Sequence, residues 1–516
     1  MTLLPFLLVT VGGAVAVLLV RGPERVATAI GLLALVAAVV TGLAIRTEES
    51  LAIAASGVGT TAYMRLFVVL GALVGLVLAV IGYAVGSRRD ATAVTLAILG
   101  TSALALSLPD ARLAVLAATA GGLFGALLCI APIGRRVGAT VGIRAVRATV
   151  IAGTMAIAAT AWIGRDLSQL AARPVVFELA YLAMALAVAI RFGVIPVHAW
   201  AARVADTVPE TTLPLVTAWA PAALAIVALG WADASIAPLL VDVESARFVV
   251  IGIALASIVL ASVAAWIQDD LEHIVGYAIV GDAGVVMLAV AALDPAAWEP
   301  ARMWILAFVV ARSAFAAWAA ALRATFFTGR IADLRGWAIR SPILATAFVI
   351  VVLASIGLPG LAAFEARGAL IGLTLDGPLA IVAWLGVLSP LAYYGRLLVV
   401  GIGRPDPRPG GPSAWRPQVS PVSLTDVRGW LTTTWSDNRA FFATSSATLL
   451  AVVALAVSVG MFGAPEAAAG LPPTVDGAVE SFAPGSPNEP LPDEPLQSVE
   501  PSAEPSAEPS VEPSGG

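Results

Sequence analysis

Residues 246–291 read ARFVVIGIALASIVLASVAAWIQDDLEHIVGYAIVGDAGVVMLAVA. Two long apolar runs flank one tight polar turn, Gln268 to Glu272. An apolar helix of about 20 residues crosses the hydrocarbon core of a bilayer, and each run approaches that length. The stretch therefore predicts two neighbouring transmembrane helices, the second of which carries an acid, Asp282, among apolar residues.

The same pattern recurs along the chain. Of the 516 residues, 59% are hydrophobic and only 12% are charged, too few for the surface of a water-soluble domain. We predict an all-α integral membrane protein, multi-pass in a bacterial-type plasma membrane, with about fourteen transmembrane helices. The predicted spans are 3–20, 26–45, 62–86, 91–108, 111–133, 147–163, 175–197, 211–230, 246–266, 272–291, 302–322, 341–370, 376–400 and 441–462.

These spans divide the chain into five segments. The predicted segments are 1–90 with transmembrane helices 1–3, 91–400 with a core of helices 4–13, 401–440 as a cytoplasmic loop, 441–462 as the last transmembrane helix, and 463–516 as a tail. The tail is rich in Pro, Glu and Ser and has little apolar surface to bury, so it is predicted to be disordered.

All 29 basic residues are arginine. Arginine stays charged in any protein environment, whereas a buried lysine loses its proton readily. Eighteen arginines fall in the loops of one side, six, including Arg302, fall in those of the other, and five fall within or at the ends of spans. Because cytoplasmic loops carry the excess of basic residues, both termini are predicted to be extracytoplasmic.

The chain lacks the usual motifs for redox centres. Cys129 is the only cysteine, and His198 and His273 are the only histidines. There is no cysteine cluster for iron–sulfur or zinc, and no glycine-rich phosphate loop follows a strand. We predict no cofactor, no metal, no catalytic residue and no nucleic-acid partner for this chain.

Two spans are interrupted by proline and glycine next to an arginine. Residues 191–200 read RFGVIPVHAW, with Arg191, Pro196 and His198; residues 356–367 read IGLPGLAAFEAR, with Pro359, Glu365 and Arg367. Broken helices at corresponding places of the two halves are typical of transporters with inverted repeats. A plain proline kink, with the arginine reaching towards the interface, is the alternative for the first.

The third candidate place is the start of the tenth span, with Glu272, His273 and Asp282. Ionisable residues inside a membrane are costly and mark functional sites. A solvated turn at the membrane surface is the alternative for Glu272 and His273, whereas Asp282 lies deeper in the span.

These segments, in this order, resemble the antiporter-like membrane subunits of respiratory complex I, the NADH-quinone oxidoreductase, and most of all its N-type subunit. The family is related to Mrp-type cation/proton antiporter subunits. Residues 191–200 are similar to its Lys-x-x-x-Val-Pro-Phe-His-x-Trp motif, and residues 356–367 to Gly-Ile-Pro-Pro-x-x-Gly-Phe-x-Gly-Lys, with an arginine at each lysine. Residues 268–284 are similar to the family's tenth-helix segment, and the resemblance covers roughly residues 60–462.

The resemblance implies a membrane subunit of a complex I-like, proton- or cation-translocating assembly of the electron transport chain. Residues 91–400 would form its antiporter-like core. The implied partners are the lipid bilayer and other membrane subunits of a complex I-like or Mrp-like assembly. Quinone would be met only through partner subunits, and electron transfer would belong to them.

The departures from the family bear on its proton path. The fifth-helix glutamate that pairs with the seventh-helix lysine is missing, with Ala118 or Thr119 near its place, and no charge lies between Glu210 and Asp233, where the eighth-helix lysine is expected. Glu272 and Asp282 replace a basic residue and a histidine of the family's tenth-helix segment.

These departures predict a degenerate or rerouted proton path. A route through His198, Glu365 and Asp282 is one hypothesis. Arg191 needs another carboxylate, backbone carbonyls or water as its partner, and Asp206 and Glu210 are the candidate carboxylates. The alternatives are a structural paralogue that does not pump and a stand-alone secondary ion transporter.

Overall fold

The computed structural model describes residues 2–20, 24–47, 50–53, 56–85, 90–130, 136–162, 174–235, 243–404 and 439–470. Nearly all of the predicted cytoplasmic loop and most of the predicted tail lie outside these ranges.

The described chain is built of apolar helices. In chain order they are α1 (Leu4–Leu19), α2 (Glu24–Leu43), α3 (Ala62–Val85), α4 (Asp90–Ser107), α5 (Ala111–Ile130), α6 (Arg136–Trp162), α7 (Pro174–Phe192), α8 (Ala199–Val204), α9 (Ala220–Ser235), α10 (Glu244–Ile267), α11 (Leu271–Ala292), α12 (Trp298–Phe326), α13 (Trp337–Arg340), α14 (Pro342–Ile356), α15 (Ala362–Thr374), α16 (Gly377–Leu388), α17 (Pro390–Ile402), α18 (Arg439–Val459) and α19 (Ala464–Ala469).

Short elements complete the described chain. A π-helical turn, Leu215–Trp219, precedes α9, and 3-10 turns at Pro295–Ala297 and Ile331–Leu334 flank α12. A two-stranded antiparallel hairpin, β1 (Ser50–Ile53) with β2 (Ser56–Gly59), joins α2 to α3. The sequence analysis did not predict this hairpin.

Eleven helical spans of the described chain are long and apolar enough to cross a membrane. Three shorter apolar helices, α1, α4 and α14, coincide with further predicted spans. The helical membrane class is therefore confirmed, while the count of fourteen stays a prediction.

Helix α12 runs through the centre of the bundle. It packs against α3, α11, α14, α15 and α18, and the most apolar part of its span is wholly buried. Alanine is its commonest residue, and small side chains let neighbouring membrane helices approach closely. A helix surrounded in this way can hold charged side chains away from lipid.

The first broken helix, formed by α7 and α8, is interrupted at residues 193–198. Gly193 has a φ of +63°, and a Cβ there would lie 2.4 Å from the Cβ of Ala201, so only glycine fits. The Trp200 indole N–H donates to the Ile190 carbonyl at 2.7 Å, and the Ile195 N–H donates to Ser257 Oγ at 3.1 Å. Freed backbone groups are thus paired inside the protein, as a membrane requires.

The second broken helix, formed by α14 and α15, is interrupted at residues 357–361. Gly357 and Gly360 have φ values of +72° and +90°, and Pro359 lies between them. Left-handed backbone at both glycines ends α14, and α15 starts again at Ala362. The predicted interruptions of the seventh and twelfth transmembrane helices are therefore both confirmed.

A close backbone approach between α10 and α11, at Gly284, provides a test of the packing. A Cβ at Gly284 would lie 2.9 Å from the Ala254 carbonyl oxygen and 3.0 Å from the Ile258 nitrogen. We expect Gly284→Leu to lower the free energy of unfolding by about 1–3 kcal/mol, because backbone on the facing helix has to move. Unfolding in mixed micelles of increasing SDS fraction measures the change.

The matched control is Gly252→Leu on α10, since a Cβ at Gly252 meets nothing within 4 Å. Equal unfolding midpoints for the two variants would contradict the close packing of α10 on α11 at Gly284.

Candidate functional site

Arg191 lies in the last turn of α7, just before the first helix break, and is 2% exposed. Its Nη1 donates to Thr149 Oγ1 at 3.2 Å, while Nε and Nη2 have no hydrogen-bond partner among the described residues. A Cβ at Gly122 would lie 2.4 Å from Arg191 Nη2. The guanidinium therefore packs against bare backbone of α5, between α5 and α6.

The predicted partners of Arg191 are wrong. The Asp206 carboxylate contacts His273 Nε2 at 2.9 Å and Arg203 Nη1 at 3.4 Å. Glu210 pairs instead with Arg323 at 2.8 Å. Within the described part of the chain, no carboxylate forms an ion pair with Arg191.

The α5 residue beside the Arg191 guanidinium is Gly122, rather than Ala118 or Thr119, which stand near the place of the family's glutamate. Thr119 packs against Gly153 of α6, where a Cβ would lie 2.6 Å from the Thr119 methyl carbon. Gly122, one helical turn beyond Ala118 and Thr119, is the residue that contacts the guanidinium. Because Gly122 has no side chain, it leaves space for the guanidinium of Arg191, which is longer than the lysine of the family motif.

Arg367 lies on α15, just after the second helix break, and is 2% exposed. Its guanidinium lies 5.2 Å from the Trp304 ring centroid and 5.7 Å from that of Phe364. Nη2 donates to the Ile356 carbonyl at the end of α14, so the arginine satisfies a backbone group freed by the break. Glu365, two residues earlier, is exposed and accepts from the Gly360 N–H at 3.0 Å.

Asp282 and Arg312 form a buried ion pair between α11 and α12. Arg312 Nε donates to Asp282 Oδ2 at 2.6 Å, and the exposed fraction of the Arg312 side chain is 1%. Arg312 Nη1 also donates to Tyr394 Oη at 2.6 Å and lies 3.4 Å from Tyr393 Oη. A buried charge with a close partner and further hydrogen bonds meets the condition for stability in a low-dielectric interior.

A small cavity lies between Asp282 and the second broken helix. Asp282, Arg367, Tyr393 and Ser262 are its polar lining residues. The structure therefore brings together two of the predicted site residues, Asp282 of α11 and Arg367 of α15. It adds Arg312 to them, which the sequence analysis placed within a span without assigning it a role.

The three residues of the predicted route, His198, Glu365 and Asp282, have separate surroundings in the described structure. His198 is half-buried, with its ring 6.4 Å from that of Tyr277 and its Nδ1 unpartnered in the described structure. Neither a hydrogen bond nor an ion pair among the described residues joins any two of the three. Their role in ion movement stays a prediction.

Glu210, Glu272 and Arg323 form a second charged group, which we call the carboxyl cluster. Glu210 Oε1 and Glu272 Oε1 both accept from Arg323 Nη1, Glu210 at 2.8 Å. Glu210 follows the first broken helix, Glu272 begins α11 and Arg323 lies in the last turn of α12. The sequence alone places Arg323 in an inner loop, on the same side of the membrane as the Gln268–Glu272 turn. That shared side is the only sequence signal for the pairing of Arg323 with Glu272.

Arg302 lies within α12, although the sequence analysis placed it in a loop. It lies in the first turns of α12, is 2% exposed, and its guanidinium lies 4.0 Å from the Tyr63 ring centroid and 4.8 Å from that of Trp298. Its Nη1 donates to the carbonyls of Ala468, at 2.9 Å, and Gly470. The short helix α19 is thus fixed to α12, so ordered chain extends beyond residue 463, where the tail was predicted to begin.

These features define a class: a polytopic helical membrane protein with two broken helices and ionisable groups buried between helices. Residues 150–391 match the family model of the membrane domain of NADH:quinone oxidoreductase and Mrp antiporters. Over these residues, the chain is similar to that family of antiporter-like membrane subunits.

Curated relatives agree with this assignment. The chain is 29% identical over 260 residues to NADH-quinone oxidoreductase subunit N of Halorhodospira halophila, covering 48% of this chain and 53% of that protein. It is 26% identical over 220 residues to subunit N 1 of Streptomyces griseus, covering 42% and 45%. The chain thus spans about half the length of the curated relatives it matches.

Solved structures share the fold. Respiratory complex I from Thermus thermophilus with bound NADH contains a chain that matches with a TM-score of 0.68 and 20% identity, covering 91% of this chain and 98% of that chain. The Mrp complex from Dietzia sp. DQ12-45-1b contains one with a TM-score of 0.70 and 19% identity, covering 91% and 52%. At these identities the likeness shows the fold.

Proposed function

We propose that this chain is a membrane subunit of a complex I-like, proton- or cation-translocating NADH-quinone oxidoreductase assembly, and that its proton path is degenerate or rerouted. The family match and the subunit N relatives support the first part. Arg191 supports the second, because it is buried at the first helix break without a carboxylate partner in the described structure.

The chemistry of arginine makes the usual path untenable here. A charge pair that opens and closes with proton transfer needs a group that gains and loses a proton near the working pH. A guanidinium stays protonated throughout that range and does not do so. Arg191 and Arg367, which stand at the lysine positions of the family motifs, therefore act as fixed positive charges. Titration falls to carboxylates and histidines elsewhere in the bundle.

We place the chain in a bacterial plasma membrane, with both termini outside. The arginine distribution supports this orientation, although Arg302 leaves the outer-loop count because it is buried in α12. The partners are the lipid bilayer and other membrane subunits of the assembly, while quinone and electron transfer belong to partner chains. Two alternative functions of the chain are a paralogue that assembles without pumping and a secondary ion transporter that acts alone.

Affinity purification of the tagged full-length chain from its native membrane separates these functions. We expect mass spectrometry to recover quinone-reductase, hydrogenase or antiporter subunits with it. Recovery of the chain alone would overturn the assembly and favour the independent transporter. Absence of proton flux from a recovered, reconstituted assembly would favour the non-pumping paralogue. An untagged strain processed in parallel controls for carry-over of abundant membrane complexes.

A further inference from the structure

The carboxyl cluster contains two acidic side chains and only one basic side chain. Glu210 and Glu272 accept from the same guanidinium nitrogen, so their two Oε1 atoms lie close together. Glu210 is 3% exposed, so solvent does not screen it, while Glu272 and Arg323 are partly exposed. If both carboxyl groups were ionised, the cluster would hold two negative charges against one positive charge at close range.

Two carboxylates at such a distance cannot both ionise easily. One shared proton removes the repulsion, supplies the donor for a hydrogen bond between the carboxyl groups, and makes the cluster neutral with Arg323. The other charged groups nearby do not offset the excess of negative charge. Asp270 adds negative charge beside Glu272, and His273 is already paired with Asp206 at 2.9 Å.

A polar cavity adjoins the cluster on the Glu210 side. Thr211, the next residue, is 3% exposed, and its Oγ1 has no hydrogen-bond partner in the described structure. It lines a narrow opening between α2, α3, α4 and the π-helical turn, whose other hydroxyl-bearing residues are Thr28, Tyr83, Thr92, Thr95 and Thr212. Hydroxyl groups of this kind support hydrogen-bonded water, along which protons move.

We propose that Glu210 and Glu272 form a proton-binding site that holds one proton between their two carboxyl groups. Uptake transfers one proton from a hydronium ion to a carboxylate oxygen and leaves a neutral water molecule. The site is the proton-accepting group at one end of the rerouted path, a role that rests on the proposed function. At the position of Glu272, the family's tenth-helix segment has a basic residue, so this pair is a departure of this chain.

Infrared difference spectroscopy on the purified full-length chain in lipid nanodiscs tests the proposal. We expect the wild-type chain near pH 7 to show the carbonyl stretch of a protonated carboxyl group, shifted on exchange into D2O. Glu210→Gln and Glu272→Gln should each abolish this band, because the carboxylate that remains has Arg323 to itself and stays ionised. Raising the pH should remove the band from the wild-type chain.

Glu365→Gln is the matched control, because Glu365 is exposed and accepts only from a backbone N–H in the described structure. It should keep the wild-type band. A band that persists in both cluster variants, or that is absent from the wild-type chain, would overturn the shared proton. Thermal unfolding checks that the variants fold, and Glu272→Gln, at a partly exposed side chain, carries the test if Glu210→Gln does not.

This measurement is independent of the proposed function, since it needs no partner subunit. Failure to recover complex subunits, with the band still present, would overturn the assembly and leave the proton site standing. Recovery of those subunits, with no band in the wild-type chain, would overturn the proton site alone.

Discussion

Asp282→Asn is expected to lower the free energy of unfolding by about 3–5 kcal/mol, the usual cost of removing one partner of a buried ion pair. Asparagine has nearly the shape of aspartate, so the change removes charge with little change in packing. Arg312 would then keep its positive charge in a site where 1% of its side chain is exposed. Unfolding in mixed micelles of increasing SDS fraction measures the loss.

The control for Asp282→Asn is Asp269→Asn in the Gln268–Glu272 turn. The Asp269 side chain is 82% exposed and lies 3.2 Å from Arg396 Nη2. Exposed pairs contribute about 0–1 kcal/mol, so this variant should unfold close to the wild type. Similar losses in the two variants would mean that Tyr393, Tyr394 and the cavity compensate the Arg312 charge without Asp282.

Arg191→Met is expected to have the opposite sign and to raise the free energy of unfolding by about 1–4 kcal/mol, as seen when buried ionic groups are replaced by apolar residues. The guanidinium has one hydrogen bond, to Thr149, and no carboxylate partner in the described structure, so the cost of burying its charge is poorly offset. Methionine is flexible enough to fill the space beside Gly122.

Arg302→Met is the matched control, because it removes an equally buried arginine whose interactions are numerous. Arg302 lies against the rings of Tyr63 and Trp298 and donates to two carbonyls at the end of α19. We expect it to lower stability. If Arg191→Met also lowered stability to a similar extent, Arg191 would have a compensating partner in the membrane.

Proton flux is the second readout for Arg191→Met. A group that does not release its proton takes no part in proton transfer, so the reconstituted assembly should keep its flux when Arg191 is replaced. A loss of flux without a loss of assembly would show that the fixed charge at the first break governs the path. The degenerate-path proposal would then have to be abandoned at this site.

Much of the fold was predictable from local sequence. The apolar runs of residues 246–291 gave two spans and their turn, and the structure has α10 and α11 there. Both helix breaks followed from proline and glycine, although α7 ends at Phe192 rather than near residue 197. The earlier end arises because Gly193, three residues before Pro196, already has left-handed backbone.

The pairing of charges was not predictable in the same way. Arg302 looked like a loop residue because it starts an apolar run, yet α12 begins one turn earlier and buries it. Asp206 and Glu210 looked like partners of Arg191 because they are near in sequence. Their actual partners, His273 and Arg323, are 67 and 113 residues away.

The sequence by itself determined that the chain crosses a membrane, where two of its helices break, and that no lysine is available to gain and lose protons. These properties depend on hydropathy, backbone chemistry and composition, which are local. Only the tertiary structure decided that Arg312 has a carboxylate, that Arg191 has none among the described residues, and that Glu210 and Glu272 share Arg323. The reason is physical: a charge pair forms within a few ångströms, and helix packing sets which distant residues come that close.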